Sequence, residues 1–268
     1  MLNPSLYRRR LALAAVLLIA IGGLTACERK ASVPPATAAH VQEYLVGCDA
    51  HYAPFEEIND QQQIEGFDID LLNAVAARGG FRVKFVHTPW NGLFNKLATG
   101  ERSILASSIS ITKERQKLMD FSDPYFLSRQ MIAVAKGQED IRSFHDLQDK
   151  RVAVQMDTTG DGMVQSLLGK DNPNIKRFGS MADAFKVLET GGADAVVGDS
   201  GLIIHYVKLH HQSGVFAMQD TTRFAPEYYG FAVKKGNQKL LDQINAGLAA
   251  VKSDGTYDAL SKKYFGNN

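Results

Sequence analysis

The sequence predicts an α/β protein of two lobes with a cleft between them. Short runs rich in β-formers alternate with amphipathic helical patterns, the order that builds sheets covered by helices. Two extended runs, residues 129–136 after Asp123-Pro124-Tyr125 and residues 222–234 containing Pro226, are the candidate crossings between lobes. The composition is that of a packed chain: of 268 residues, 45% are hydrophobic and 22% charged. That excludes a disordered segment, a collagen-like repeat and a disulfide-dense miniprotein. The formal net charge of +1 gives no support to a nucleic-acid partner, which calls for a basic excess.

The first 26 residues stand outside that fold. Arg8-Arg9-Arg10 is a basic start, and residues 11–21 are a run of Leu, Ala, Val and Ile. The run is shorter than the ~20 apolar residues of a spanning helix. It ends in Gly22-Gly23 and then Leu24-Thr25-Ala26-Cys27, the layout of a secretory signal. These last four residues resemble a bacterial lipobox, which implies cleavage after Ala26 and a lipid-modified Cys27. The alternative is an ordinary signal cut near Ala26, with Cys27 incidental. Loss of the segment removes three arginines and no acid, so the remaining chain is slightly acidic. Residues 27–40, with Pro34-Pro35 and much Ala, Ser and Thr, read as a flexible tether.

From residue 41 the elements follow in order. Residues 44–48 read as a strand. Residues 68–78 read as a helix with Ile69, Leu72, Val75 and Ala76 on one face and a stop at Gly79-Gly80. Strands are expected at 81–87, 104–108, 129–135 and 151–155. A helix running through Met163 opens at Thr158-Thr159. Residues 180–190 form a helix capped by Ser180 and stopped at Gly191-Gly192. Strands at 193–198 and 229–233 follow, then a helix over 237–253 with Leu240, Leu241, Ile244, Leu248 and Val251 in its stripe. If both extended runs cross, one lobe comprises residues 41–130 plus 226–268 and the other 131–225. With Cys27 acylated, Cys48 has no partner, and it reads as a buried small residue.

The densest polar cluster is Ser107-Ser108-Ile109-Ser110-Ile111-Thr112-Lys113-Glu114-Arg115. It follows the apolar Ile104-Leu105-Ala106, and strand ends of α/β sheets are where ligands sit. The hydroxyls supply uncharged donors and acceptors, and Arg115 supplies a planar fork suited to a carboxylate. A capped helix start with a solvated Arg115 explains the spacing equally well.

Tyr52-Ala53-Pro54-Phe55-Glu56 and Gly66-Phe67-Asp68-Ile69-Asp70-Leu71 resemble the start of bacterial amino-acid-binding proteins of ABC importers, the extracellular solute-binding proteins of family 3. The serine run, Phe121-Ser122-Asp123-Pro124-Tyr125 and residues 194–199 continue the match in order over most of 43–266. The resemblance implies the type II periplasmic binding protein fold. It also implies roles. Arg115 grips the ligand α-carboxylate, helped by Ser110 and the Thr158-Thr159 segment. Ser108, Ser110 and Asp199 meet the α-ammonium, and Asp49, Tyr52 and Trp90 surround the ligand side chain. Thr158-Thr159 also suits an anion on its own, since it opens a helix after a strand. Three positions depart from the family pattern: Ser103 for Asp, Asp157 for Gly, and Gly160 for a larger residue.

Asp49 with two aromatic faces leans toward a basic ligand, arginine, lysine or histidine, although glutamine and cystine receptors also use an aromatic wall. No cofactor or metal is expected. The partners implied are an amino acid, an ABC permease and a membrane reached through the lipid anchor, with the receptor a monomer in the periplasm or on the cell surface. Ser110-Ile111-Thr112-Lys113 fits Ser-x-x-Lys of serine β-lactamases, but the companion motifs fail. Cyclohexadienyl dehydratases share the fold and the arginine motif; Asp157 or Asp161 would have to stand for their acid. His210-His211 lacks further metal ligands, Gly160-Asp161-Gly162 lacks the third glycine of a dinucleotide loop, and no fused signalling module is read.

Overall fold

The computed structural model describes residues 41–210, 216–218 and 224–266. The expected signal peptide, Cys27, the tether and His211 lie outside the described residues.

Two five-stranded sheets form the frame. The first has the spatial order Arg82–His87, Glu43–Cys48, Ile104–Leu105, Ala232–Lys234, Met119–Phe121. Its first three strands run parallel and the other two join antiparallel. The second has the order Ile175–Phe178, Val152–Gln155, Ala195–Asp199, Gln130–Val134, Phe216–Met218. There too the first three run parallel, and Gln130–Val134 opposes both its neighbours. A two-stranded antiparallel ribbon, Phe126–Ser128 against Glu227–Tyr229, joins the sheets. The chain therefore leaves the first sheet through one strand of the ribbon and returns through the other. Parallel strands place their carboxyl ends on one edge, and in both lobes that edge faces the cleft.

The helices form where the sequence pattern puts them. Phe67–Gly79 buries Ile69, Leu72, Val75 and Ala76 and ends at Gly80, whose φ of 73° is left-handed. Met181–Glu189 is capped by the Ser180 hydroxyl, which accepts from the Asp183 N–H at 3.2 Å. Gln238–Ser253 lies so close to Phe67–Gly79 that a Cβ on Gly247 would sit 2.3 Å from the Val75 carbonyl oxygen. Behind the ribbon, Phe55, Phe67, Phe126, Tyr229 and Phe265 form an aromatic cluster, with Phe55 and Phe126 edge to face at 4.9 Å. Phe55 belongs to the first lobe, yet a Cβ on Gly201 of the second would lie 2.6 Å from its ring. The apolar core thus continues past the ribbon from one lobe into the other.

Two strand expectations need correction. The strand expected over 104–108 ends at Leu105, because Ser107 and Ser108 turn out of the sheet to bond buried carboxyls. The single strand expected over 229–233 is two, Glu227–Tyr229 and Ala232–Lys234. It breaks where the chain passes from the ribbon into the first sheet. Gly230 stands at the break, and a Cβ there would be 3.0 Å from Ile111.

Gly66 is the tightest of these positions. Its φ is 134° and a Cβ would lie 2.2 Å from the Phe55 carbonyl oxygen. Gly66→Ala combines backbone strain with overpacking at the start of the helix that carries Asp68, and should cost about 2–4 kcal/mol in urea unfolding. A loss below about 0.5 kcal/mol would contradict this packing.

Candidate functional site

Nine residues singled out in the sequence, Asp49, Tyr52, Trp90, Ser108, Ser110, Arg115, Thr158, Thr159 and Asp199, line one cavity between the lobes. Glu56, Ser107 and Gln155 complete its wall. The first lobe contributes the turn after Glu43–Cys48, the loop after Arg82–His87 and the serine run after Ile104–Leu105. The second contributes the turn after Val152–Gln155 and the last residue of Ala195–Asp199.

Arg115 sits on the short helix Lys113–Leu118, whose cap is the Thr112 hydroxyl accepting from the Arg115 N–H at 3.1 Å. Its guanidinium donates to the backbone carbonyls of Ser110 at 3.0 Å and of Asp157, across the cleft, at 3.4 Å. It also lies over the rings of Trp90 and Phe94, at 5.4 and 5.2 Å. Burial pulls its pKa down, opposed by the negative charges of Asp199 and Glu227; a guanidinium stays protonated in either case.

Asp199 is 6% exposed. It accepts from the Tyr52 hydroxyl at 2.6 Å and from the Gln130 amide at 2.6 Å. Burial raises its pKa to about 6, with a further push from Glu227. Asp49 accepts from the Trp90 N–H at 3.0 Å and from Gln155 Nε2 at 3.2 Å. Its carboxyl is likewise raised, chiefly by burial. The Trp90 indole donates to the Met156 carbonyl at 3.0 Å. Tyr52 and Trp90, expected as walls for a ligand side chain, thus face the cavity while their polar tips are tied to the second lobe.

Helix Thr159–Leu168 is capped by the Thr158 hydroxyl, which accepts from the Asp161 N–H at 3.1 Å, so the first turn points its N–H groups at the cavity edge. The two departures nearby have physical reasons. Asp157 has a φ of 60°, a left-handed conformation that suits glycine and that Asp tolerates. At Gly160 a Cβ would lie 2.9 Å from Gln130 Oε1, so a larger residue there would displace the Gln130 amide from the place where it bonds Asp199. Ser103, the third departure, starts its strand by donating to the Leu45 carbonyl at 2.8 Å. Cys48 is fully buried, and burial pushes its thiol pKa up, which removes nucleophilic character. His210 Nδ1 donates to the Tyr206 carbonyl at 3.1 Å, and no cluster of metal-binding type occurs among the described residues.

Sequence reading missed a support layer beneath the serines. Glu56 accepts from Ser107 Oγ at 2.8 Å and Ser108 Oγ at 3.3 Å. Asp68 accepts from the Ser108 N–H at 2.8 Å and the Tyr125 hydroxyl at 2.7 Å. Ser107 Oγ in turn accepts from the Asp49 N–H at 3.0 Å. These bonds hold Ser108 at a φ of 48°. Glu56 and Asp68 are both fully buried. Burial raises Glu56 well above the carboxylate range, and it raises Asp68 to about 7. The available signal was positional: both acids lie inside the motifs 52–56 and 66–71.

The model of the bacterial extracellular solute-binding proteins, family 3, matches residues 44–267. The chain belongs to that family. A probable histidine-binding protein of Neisseria gonorrhoeae is 41% identical over 258 residues, covering 95% of this chain and 93% of the relative. Among solved structures, the arginine-, lysine-, histidine-binding protein ArtJ of Geobacillus stearothermophilus superposes with a TM-score of 0.80 at 35% identity, over 85% of this chain and 96% of that one. An ancestral amino acid-binding protein described as a precursor of cyclohexadienyl dehydratase superposes with a TM-score of 0.76 at 42% identity, over 83% and 95%. As a family 3 solute-binding protein the chain has the type II periplasmic fold, two α/β lobes joined by crossing strands.

The Glu56–Asp68 pair generates a pH prediction. Both groups hold protons more tightly in the folded chain than in the unfolded one, so the stability this pair contributes is fully present below about pH 4 and declines as pH rises toward 8. Glu56→Gln replaces a carboxyl that takes up a proton on folding with a group that does not titrate. It should flatten that decline and gain about 1 kcal/mol or more over the unaltered protein at pH 8. Urea unfolding across pH 4–8 reads this; parallel curves for the two proteins would show that the pair is not protonated in the fold.

Proposed function

We propose that the chain is a receptor that captures a basic L-amino acid, arginine, lysine or histidine, in the interlobe cleft and delivers it to an ABC permease. The observation that carries the reading is the charge layout of one buried cavity. Arg115 suits an α-carboxylate, Asp199 an α-ammonium, and Asp49 is a further carboxylate whose hydrogen-bond partners are uncharged N–H groups. Carboxylates exceed cations around the cavity, so a zwitterion with an extra positive charge relieves more repulsion than a neutral one. The likeness to a probable histidine-binding protein and to an arginine-, lysine-, histidine-binding protein supports the same class. Residues 41–130 with 226–268, and residues 131–225, close on the ligand as two bodies about the ribbon, because a ligand touching both stabilises only the closed arrangement.

Export as a lipoprotein completes the reading. Residues 1–26 are removed, Cys27 is acylated, and the tether 27–40 leaves a monomeric receptor anchored at the membrane, in the periplasm or on the cell surface. Intact-mass measurement of membrane-extracted protein tests this; a mass without a diacylglyceryl group on Cys27 overturns it. The reading is of a binder. The dehydratase-related neighbour is itself described as amino acid-binding, and incubation with prephenate or arogenate should give no turnover.

Calorimetry with arginine, lysine, histidine, glutamine and cystine tests the ligand class. The basic three should bind more tightly than glutamine and cystine, and a protein that ignores them overturns the basic reading. Arg115→Ala leaves a buried carboxylate unpaired, which costs about 2–5 kcal/mol. That is a loss of about 30-fold to several thousand-fold in affinity. A loss under about threefold in a folded variant would remove Arg115 from the carboxylate site.

A further inference from the structure

The crossing ribbon carries a carboxylate for which the receptor reading has no use. Glu227 opens the returning strand and pairs with Ser128 across the ribbon. Its Oε2 accepts from the Thr159 hydroxyl at 2.7 Å, and its Oε1 from Gln130 Nε2 at 3.3 Å. The same Gln130 nitrogen donates to Asp199 at 2.6 Å and lies 3.2 Å from Thr159 Oγ. One amide therefore bridges the hinge carboxylate and the cleft carboxylate, and the first residue of helix Thr159–Leu168 is fastened to the hinge. Ser110 pairs with Tyr229 on the same strand, so the serine run is fastened there as well.

We propose that Glu227 is a positioning residue for ligand capture: through Gln130 and Thr159 it couples the crossing strand to the ammonium end of the cleft, and its charge beside Asp199 makes that end give up its ligand on mild acidification. The inference rests on the amino-acid receptor reading. Asp199 is faced by Tyr52 from the first lobe, by Tyr229 and Glu227 from the ribbon, by Arg115 from the short helix, and by the uncharged Gln130 of its neighbouring strand. Arg115 and the Tyr52 bond favour the ionised form; burial and Glu227 oppose it, which sets Asp199 at about 6. Only the ionised form pairs with an ammonium. As pH falls through that value, protons compete with the ligand, and affinity drops about tenfold for each unit below it. Removing the charge of Glu227 lowers the pH at which this begins.

The test uses L-arginine, whose charges are the same at pH 7.5 and 5.0, and calorimetry on the full chain. The unaltered protein should bind about tenfold more weakly at pH 5.0 than at 7.5. Glu227→Gln keeps the shape and should reduce that ratio below about threefold. Asp49, also raised by burial, is present in both proteins, so the difference between their ratios reads Glu227 alone. Thr159→Val removes the hydroxyl tie and leaves the charge, so it should weaken binding at both pH values and preserve the tenfold ratio. An unchanged ratio in Glu227→Gln, or a ratio lost in Thr159→Val alone, overturns the inference while the receptor reading stands. A second measurement needs no variant: at pH 6, arginine binding by the unaltered protein should release protons, read from the dependence of the binding heat on buffer ionisation enthalpy. No proton release overturns the inference. If the unaltered protein binds none of arginine, lysine, histidine and glutamine at pH 7.5, the receptor reading falls and this inference with it.

Discussion

The site depends on keeping two opposite charges in one cleft, Asp199 buried and Arg115 half-buried, without letting them neutralise each other. Taking an ion out of water costs several kcal/mol after relaxation, and Arg115 and Asp199 both bear that cost. Each is given uncharged or weakly charged partners in place of the other. Arg115 meets the carbonyls of Ser110 and Asp157 and two aromatic faces; Asp199 meets a phenol and an amide. Such partners lower the cost of burial and are exchangeable for the carboxylate and ammonium of a zwitterion. The same requirement explains why the residues come from different lobes. A cleft that can open lets each charge be hydrated when the ligand leaves.

The layer behind the cleft follows a different logic. Glu56 and Asp68 hold the serine run in a turn that no hydrophobic contact would specify, since Ser108 takes a left-handed φ and its N–H needs an acceptor. Neutral carboxyls can accept such bonds while avoiding a second pair of buried charges next to Asp49. The layer thus shapes the first lobe's half of the cleft without adding to its negative potential. The hinge contributes in the same way. The ribbon strand Glu227–Tyr229 pairs with Phe126–Ser128, flanks Ser110 and holds Thr159, so the element that joins the lobes also touches both sides of the site.

How much of this the sequence disclosed depends on the range of the signal. Local signals were legible: the stripe of Phe67–Gly79 with its glycine stop, the Ser180 and Thr158 caps, and the apolar strands that deliver Asp49, the serine run and Asp199 to one edge. The nine cavity residues were legible through motifs in fixed order. What escaped was set by tertiary contact. The strand after Ile104 stops early because Asp68, 40 positions away from Ser108, captures its N–H. Gln155 read as the end of a strand, yet its amide reaches Asp49 across 106 positions. Glu227 follows Pro226 in a stretch with no periodic pattern, and its partner Thr159 is 68 positions away. Nothing in residue type or spacing announces such pairings.

The proposed binding mode has one amino acid held by Arg115 at its carboxylate and by Asp199 at its ammonium, with the lobes closed upon it. A crystal structure of the complex with L-arginine tests it most directly. The account predicts the α-carboxylate on the Arg115 guanidinium and on the N–H groups at the start of helix Thr159–Leu168, and the α-ammonium within hydrogen-bond distance of Asp199. A ligand whose guanidinium occupies Asp199 while Arg115 keeps the Ser110 and Asp157 carbonyls would contradict it.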